Sequence, residues 1–317
     1  MSRLAKQLDL PPLPRGLSPV RRYRNLGFPY RAPSTPRGVA VAPETANRGA
    51  DYDTAWARKY PARLARAAIV DGPMRLAVFG LAAPDRRGQD RLASLQSAAI
   101  FAANHHSHLD TPLLLTSIPE PWRHQILVGA AADYFFGTRL TSALSSLVIG
   151  AIPIERSRVS RRSADQAAEL AAQGWSLLLF PEGGRSPDGW GQPFRGGAAY
   201  LAQKSGRPVV PIHIEGTGRI LRKGRSLPQP STASVTFGKP LVPASAENTV
   251  RFAARIEAEV AALADEASSD WYQARVRAHA RATPQLTGPT TGAWRRAWSL
   301  GDRSRRARQR KRRWPNL

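Results

Sequence analysis

The fold is decided by one stretch, "AAIFAANHHSHLDTPLLLTSI", residues 98–118. It opens with "AAIFAAN" (98–104), an apolar run with the length and composition of a buried strand. It closes with "TPLLLTSI" (111–118), which predicts a helix, and the turn between them holds three histidines and an aspartate. A strand that passes through a polar turn into a helix is typical of α/β sheets, which gather ligands at the carboxyl ends of their strands.

The alternation of strands and helices continues along the chain. Further strands are predicted at 125–131, 146–156, 175–180, 207–214 and 233–238. Further helices are predicted at 163–174, 198–206 and 246–267, and Gly174 stands where a glycine commonly ends a helix. We therefore expect an α/β fold in which helices cover both faces of a central sheet.

Four regions follow from the composition along the 317 residues: an irregular Pro/Arg-rich arm at 1–50, an amphipathic helical segment at 51–94, the main α/β domain at 95–268 and a basic, irregular tail at 269–317. A hydrophobic content of 42% is enough for a core, and the absence of cysteine excludes disulfides and thiolate chemistry. No signal peptide or spanning helix is expected, because no apolar run reaches the ~18 residues that a span requires.

The net charge of +24 indicates an anionic partner, which could be an acidic membrane, a phosphorylated substrate or nucleic acid, although much of it could also be solvated surface. Part of the charge lies in the tail, where Trp294, Trp298 and Trp314 are interleaved with arginines. Such a run favours contact with anionic lipid or nucleic acid.

Residues 54–81 have the pattern of a membrane-surface segment. "TAWARKYPARLARAAI" (54–69) places Tyr60 and Leu64 on one side of a basic helix that Pro61 should kink or delay, and a second short apolar helix follows. The alternative is that this apolar stripe packs on the main domain. The first interpretation predicts a peripheral protein on the cytoplasmic face of a membrane.

The histidine cluster "NHHSHLD" (104–110) allows three interpretations. The first is a metal site, because "HSHLD" begins like the zinc motif of metallo-β-lactamases, but Thr111 stands where that motif has a further histidine. The second is a general-base pair, in which Asp110 orients His105 so that its free nitrogen can take a proton from a hydroxyl. The third assigns Asp110 to a helix cap and the histidines to a polar loop.

Three later stretches favour the second interpretation. "FPEGGRS" (180–186) follows a strand, and its glycines and arginine can bring N–H groups and a guanidinium onto a phosphate. Arg156 ends the third strand, and Pro211 lies within the fifth. At the carboxyl edge of one sheet, His105, Asp110, Arg156 and the 182–185 loop would surround a single crevice.

In this order and at this spacing, the stretches resemble the glycerolipid acyltransferase superfamily, the PlsC-like 1-acylglycerol-3-phosphate acyltransferases. "NHHSHLD" is similar to its motif N-H-x-S-x-x-D, "GAIPIER" and "VVPIHI" are similar to its second and fourth motifs, and "FPEGGRS" is similar to F-P-E-G-T-R-S. The resemblance covers about residues 75–265. It implies a mixed central β-sheet flanked by helices. Gly184 departs from it by replacing a threonine.

The resemblance also implies roles for single residues. His105, oriented by Asp110, would deprotonate the acceptor hydroxyl. Asn104 and Ser107 would either hold the turn or help to form an oxyanion site, and Pro211 would support the site. Four residues would bind and position the acceptor and its phosphate: Arg156, Glu182, Gly183 and Arg185.

The expected function is transfer of an acyl group from acyl-CoA or acyl carrier protein to a lysophospholipid, 1-acylglycerol-3-phosphate above all, with no bound cofactor or metal. Other acceptors, such as glycerol-3-phosphate or another polar alcohol, remain open. So does a non-catalytic lipid-binding or nucleic-acid-binding protein, although a nucleic-acid partner gives no reason for "FPEGGRS".

Overall fold

The computed structural model describes residue 49 and residues 51–154, 161–186, 189–221 and 227–287. Within these ranges the strands are β1 (Asp85–Arg87), β2 (Ile100–Ala103), β3 (Ile126–Ala131), β4 (Ala151–Ile154), β5 (Ser176–Leu179), β6 (Val209–Glu215) and β7 (Ser234–Phe237). The helices are α1 (Tyr60–Ile69), α2 (Arg75–Ala82), α3 (Asp110–Ser117), α4 (Ala132–Phe135), α5 (Arg139–Val148), α6 (Arg161–Ala172), α7 (Gly197–Ser205), α8 (Thr217–Ile220), α9 (Thr249–Ser268) and α10 (Trp271–His279).

The strands form one sheet in the order β1-β7-β6-β2-β5-β3-β4. β2 to β6 are parallel to one another, β7 pairs antiparallel with β6, and β1 pairs parallel with β7. The sheet is therefore mixed, as the resemblance implied. β2 lies at its centre, so the turn after Ala103 opens at the middle of the carboxyl edge.

Helices cover both faces of the sheet. Because side chains alternate along a strand, Phe101 and Ala103 of β2 belong to one buried cluster, and Ile100 and Ala102 belong to the other. The first cluster includes residues of α2, α3 and α8, and the second includes residues of α6, α7 and α9. Burial on both faces explains why β2 is an uninterrupted apolar run.

Two sequence-predicted elements are corrected at their boundaries. The strand predicted from Ser146 begins only at Ala151, because α5 extends to Val148. Thr138 begins this helix with a capping box: its side chain accepts from the N–H of Thr141, and Thr141 accepts in return from the N–H of Thr138. The helical segment predicted at 51–94 also ends early, since β1 already joins the sheet at Asp85.

The tail predicted to be irregular from residue 269 begins with a regular helix, α10. The side chain of Asp270 accepts a hydrogen bond from the N–H of Gln273 and starts this helix. Arg277 binds the buried carboxylate of Asp265 on α9 at 2.6 Å, which holds the two helices together. Periodicity failed here because α10 is short and its packing rests on an ion pair rather than on an apolar stripe.

Several predictions lie outside the described residues: those for Arg156, for nearly all of the arm at 1–50, and for the tail from residue 288 onward with its three tryptophans.

The N-terminal helical segment lies partly exposed. α1 begins at Tyr60 with Pro61 in its first turn, so Pro61 delays the start of the helix rather than kinking it. A π-helical segment, Val70–Met74, leads into α2. Side chains of both helices are largely exposed: Tyr60, Leu64, Leu76 and Phe79. Among the described residues, no helix is both long and apolar enough to cross a bilayer.

Candidate active site

The turn between β2 and α3 joins His105 to Asp110. Nδ1 of His105 lies 2.8 Å from Oδ2 of Asp110. The same oxygen accepts the backbone N–H groups of His106 at 2.7 Å and Ser107 at 2.8 Å. The ring of His105 stacks on Phe180, with 4.0 Å between the ring centroids. The imidazole is therefore held by both Asp110 and Phe180, and Nδ1 is the nitrogen that contacts the carboxylate.

Asp110 is fully buried and has no exposed surface. Burial alone would raise the pKa of this carboxyl, but hydrogen bonding to His105, the charge of that imidazole and the N–H of Ser107 outweigh it and lower the pKa. Asp110 therefore stays ionised. An ionised partner holds the Nδ1–H tautomer of His105 and stabilises the imidazolium that forms when Nε2 accepts a proton.

Asn104 and Ser107 hold the turn. Nδ2 of Asn104 donates to the carbonyl oxygen of Ile214 at 2.8 Å, and its Oδ1 accepts the N–H of Ile214 at 2.7 Å. Oγ of Ser107 donates to the carbonyl oxygen of Leu221 at 2.8 Å and accepts the N–H of Leu109 at 3.1 Å. Both side chains are buried and bonded to backbone. Of the two roles implied for them, these contacts support the structural one.

Glu182 lies behind the histidine. Its side chain is 1% exposed. Oε1 accepts the N–H of His105 at 3.0 Å, and Oε2 accepts the N–H of Gln192 at 3.1 Å. Burial raises the pKa of Glu182 to about 8, against the effect of these two donors. The carboxyl thus ties together the histidine turn and the loop after β5, and these contacts favour a positioning role over direct contact with a phosphate.

The loop after β5 lies beside the histidine turn. The N–H of Ser186 donates to the carbonyl oxygen of His105 at 2.8 Å. Gly183 needs its positive φ of 71°, and a Cβ there would lie 2.9 Å from Cζ of Arg195. A Cβ on Gly184 would meet nothing within 4 Å, so the backbone leaves space for a side chain to begin where the family motif has a threonine.

A cavity of about 370 Å³ opens beside His105. Arg185 and Arg195 line it together with the histidine, and they supply positive charge at this end. Most of the other walls are apolar and come from the strands β3 to β5 and the helices α6 and α7: Val128, Gly129, Ile154, Ala164, Ala167, Leu179 and Leu201. A basic end and an apolar body suit a molecule that carries an anionic group and a hydrocarbon chain.

His108 and Tyr134 also line this cavity. The hydroxyl of Tyr134 lies 3.1 Å from Nε2 of His108, and the two rings stack with their centroids 5.4 Å apart. Burial, followed by the charges of Arg185 and His105, lowers the pKa of His108 to about 4, so this imidazole is neutral at pH 7. The sequence motifs assign no role to His108, and they give no signal for Tyr134, which lies on α4.

Phe180 and Arg195 were missed as well, although a signal existed for each. Phe180 precedes the glutamate of "FPEGGRS", and Arg195 follows it in "PFRGG" (193–197). Pro211 is buried in β6 opposite Ala102, and it is absent from the walls of the cavity. The structure thus gathers His105, Asp110, Glu182, Gly183 and Arg185 into one site.

The metal interpretation of the cluster has no geometric support in the described part of the chain. There, the side chains with three ligand atoms within 4.8 Å of one another are Asp71, Glu120 and His124, away from the histidine turn. Nη1 of Arg123 lies 3.1 Å from the carboxylate of Asp71 and 3.5 Å from that of Glu120. The carboxylates of Asp71 and Glu120 are therefore already paired with the guanidinium of Arg123.

Comparison with known proteins finds similar sequences over the part of the chain that contains this site. Residues 85–215 match the family model described as Acyltransferase. A chloroplastic 1-acyl-sn-glycerol-3-phosphate acyltransferase of Brassica napus is 31% identical over 151 residues, which are 47% of this chain and 42% of that protein. A chloroplastic 1-acyl-sn-glycerol-3-phosphate acyltransferase of Arabidopsis thaliana is 32% identical over 139 residues, 43% of this chain and 37% of that protein. The chain thus spans less than half the length of these curated relatives.

A solved structure shares the fold. It is the crystal structure of the 1-acyl-sn-glycerophosphate acyltransferase PlsC of Thermotoga maritima, with a TM-score of 0.51 and 23% identity, covering 68% of this chain and 84% of that one. The seven-stranded mixed sheet and its flanking helices are therefore an architecture that PlsC shares. Residues 85–215 of this chain are thus similar to the Acyltransferase family, and the chain shares its fold with PlsC.

Proposed function

We propose that this protein transfers an acyl group from a thioester donor to the hydroxyl of 1-acylglycerol-3-phosphate and so forms phosphatidic acid. The observation that carries the proposal is the His105–Asp110 pair at the basic end of an apolar cavity. The names of the matched relatives support the acceptor, because both act as 1-acyl-sn-glycerol-3-phosphate acyltransferases.

The reaction follows from the orientation of His105. Nδ1 donates to Asp110, so Nε2 takes the proton of the acceptor hydroxyl while its oxygen attacks the thioester carbonyl. A C–O bond forms, the C–S bond breaks, and the departing thiolate recovers the proton from the imidazolium. The acceptor brings its own hydroxyl, so no serine or cysteine of the protein needs to form an acyl intermediate. The acceptor supplies the attacking hydroxyl, and the donor supplies the thioester.

The cavity suggests how the substrates are held. Its apolar walls would enclose a hydrocarbon chain, and Arg185 with Arg195 would face the phosphate of the acceptor. Arg156, the second cation expected there, remains a prediction from the sequence. Both acyl-CoA and acyl carrier protein fit the proposal, since both present a thioester.

The substrates also suggest where the protein works. The acceptor is a membrane lipid, and the apolar side chains exposed on α1 and α2 can enter a bilayer surface. We therefore propose a peripheral association, with residues 54–81 inserting and the basic tail binding anionic lipid, on the cytoplasmic face of the membrane.

Release of free CoA from a long-chain acyl-CoA, in the presence and absence of 1-acylglycerol-3-phosphate, tests the proposal. We expect acceptor-dependent release from the wild type and a loss of about 10²–10⁴-fold in His105→Ala, the usual contribution of a general base. His106→Ala is the matched control, because its imidazole lines a separate cavity with Asn104 and Ser186.

No release from the wild type with this acceptor, or with a panel of lysophospholipids and glycerol-3-phosphate, would contradict acyl transfer. Release with another member of the panel would show that this molecule is the acceptor, and the proposal of acyl transfer would stand. Equal rates in the wild type and His105→Ala would show that His105 is not the general base.

A further inference from the structure

The two faces of α1 are inverted relative to an ordinary surface helix. Tyr60 and Leu64 are 74% and 59% exposed, whereas Arg66 is 5% exposed, and Arg63 is half-buried. A helix that packs on a core normally turns its apolar face inward and its charged face outward. α1 does the reverse, so its arginines need an explanation in terms of what they bind.

Within the described ranges of the chain, Arg66 forms no ion pair. Neither Nη1 nor Nη2 has a hydrogen-bond partner among the described residues, and the same holds for Nε of Arg63. The backbone makes room for this guanidinium at Gly150, where a Cβ would collide with Nη1 of Arg66. Gly150 has a φ of 64°, which also favours glycine.

The surroundings of Arg66 are positive. Burial, followed by the charges of Arg63 and Arg58, lowers the pKa of Arg66 to about 10, and no carboxylate contributes to raising it. The guanidinium is therefore still charged at pH 7. Arg63 lies over the ring of Trp175 at 5.3 Å, and Arg58 donates to Oγ1 of Thr54. Each neighbour thus contacts a ring or a hydroxyl, whereas neither Nη atom of Arg66 has a hydrogen-bond partner in the described part of the chain.

A buried, unpaired guanidinium is unfavourable, and a phosphate is the ligand that relieves it best. Its oxygens match the fork of N–H donors and form two charge-assisted hydrogen bonds at once. The apolar face of α1 points outward on the same helix. An anion bound to Arg66 and a bilayer in contact with Leu64 would thus be held by opposite sides of one helix.

We propose that Arg66, with Arg63, binds the phosphate of an anionic phospholipid head group when α1 docks on the membrane. This site is separate from the catalytic one. Gly150 precedes β4 and Trp175 precedes β5, so the arginines lie at the amino ends of the strands, whereas His105 lies at a carboxyl end. The inference rests on the proposed membrane association, and it is independent of acyl transfer.

The proposal requires α1 to move, because both Nη atoms of Arg66 are enclosed by protein. The linker between α1 and α2 is the point at which it would bend. Gly72 has a non-helical conformation, φ −93° and ψ −105°, and Pro73 follows it inside the π-helical segment. A change of the backbone angles at Gly72 would shift α1 and leave α2 packed on the sheet.

Thermal unfolding with a soluble lipid phosphate tests the site. The protein is full-length and carries Arg185→Gln, which weakens phosphate binding at the catalytic cavity. Dihexanoyl-phosphatidic acid is titrated as a monomer, against inorganic phosphate at equal ionic strength. We expect the lipid to raise the Tm of this protein and of its Lys59→Met derivative, but not of its Arg66→Met derivative. Lys59 is an exposed cation just before α1, so it controls for net charge.

Two results would overturn the proposal: an equal rise of Tm in the Arg66→Met protein, or an equal rise with inorganic phosphate, which would make the site one for free anions. Without ligand, Arg66→Met should unfold at the same temperature or higher, because a buried charge without a partner is removed. A much lower Tm would show that Arg66 has a structural partner and would also overturn it.

Flotation with phosphatidylglycerol vesicles gives a second readout. Arg66→Met should bind about tenfold more weakly than Lys59→Met, as expected for the loss of charge-assisted hydrogen bonds. Acyl transfer in detergent should remain in both. Equal vesicle affinities would contradict the lipid site, whereas absent transfer in the wild type would contradict only the proposed function.

Discussion

Two buried carboxyls near the histidine differ in their protonation because their surroundings differ. Asp110 receives the imidazole of His105 and two N–H groups on one oxygen, and its pKa is lowered. Glu182 receives only one N–H on each oxygen, and burial raises its pKa to about 8. Asp110 is thus an ionised partner of His105, whereas Glu182 is mostly protonated at pH 7.

This difference predicts how stability depends on pH. The pKa of Glu182 is about 8 in the folded protein and near 4.5 when unfolded, so between these values the folded state binds more protons. The free energy of unfolding should therefore fall as pH rises from about 5 to about 8. Glu182→Gln should lack this contribution, and urea unfolding at several pH values measures it.

The difference between wild type and Glu182→Gln isolates this effect. Burial lowers the pKa of His108 to about 4 and that of His213 to about 3, so both stabilise the fold as pH rises towards 6.5 and oppose Glu182 there. Both histidines are present in both proteins and cancel. Parallel stability curves for the two proteins would show that Glu182 is ionised in the fold.

Two adjacent glycines should respond differently to the same substitution. Gly183→Ala should cost about 1–2 kcal/mol, because its φ of 71° is left-handed and the new Cβ would lie 2.9 Å from Arg195. Gly184→Ala should be neutral or slightly stabilising, since its Cβ would meet nothing within 4 Å. Urea unfolding of both variants measures the difference. Equal losses in the free energy of unfolding would show that the loop has a different backbone conformation at Gly183 and Gly184.

At the scale of elements, the missing side chain of Gly129 on β3 leaves room for two side chains that line the cavity. A Cβ at this position would lie 2.5 Å from Cδ2 of Leu179 and 2.7 Å from Cδ1 of Ile154, and both side chains line the cavity. Gly129→Ala should push them inward and shorten the space for an acyl chain. Burial of each methylene contributes ~0.8 kcal/mol. If two methylenes of a long acyl chain no longer fit in the cavity, the kcat/KM of long donors relative to short donors should fall about tenfold.

Competition between acyl-CoA donors of different length measures this ratio. Gly137→Ala is the control, because a Cβ there meets nothing within 4 Å and Gly137 is not part of the cavity walls. An unchanged ratio in Gly129→Ala, with normal folding, would place the acyl chain elsewhere.

Local signals account for the elements that were predicted correctly and for those that were not. β2, β3, β5 and β6 were predicted because their apolar runs fit buried strands. β1 was missed because "DRR" (85–87) is charged and joins the sheet only through the backbone of β7. The start of β4 was placed too early because the apolar run from Ser146 continues through the end of α5 into the strand.

For the whole molecule, the longest basic run and the candidate site lie in different parts of the chain. The site is built from residues between Asn104 and Leu201, whereas the arginine-rich run follows residue 287. Removal of 288–317 should therefore weaken binding to anionic vesicles in a salt-dependent way, at ~1 kcal/mol for each basic residue near the surface. Activity on detergent-dispersed substrate should remain largely intact.

Vesicle flotation at low and high salt, together with the CoA-release assay in detergent, checks this prediction. Equal binding of the truncated and full-length proteins at low salt would show that the tail does not contact the membrane. A loss of detergent activity would assign the tail a role in the fold or the site.

The sequence by itself determined the α/β alternation and the His105–Asp110 pair. Both are local, since the pair spans one turn, and a buried strand followed by a helix leaves a direct pattern of apolar residues. Only the tertiary structure decided what surrounds the pair. Pairing of β2 with β5 brings Glu182 to the N–H of His105 across 77 residues, a contact that favours a positioning role for this carboxyl. The apolar cavity and the inward arginines of α1 likewise depend on contacts between distant segments, which no local pattern of residues records.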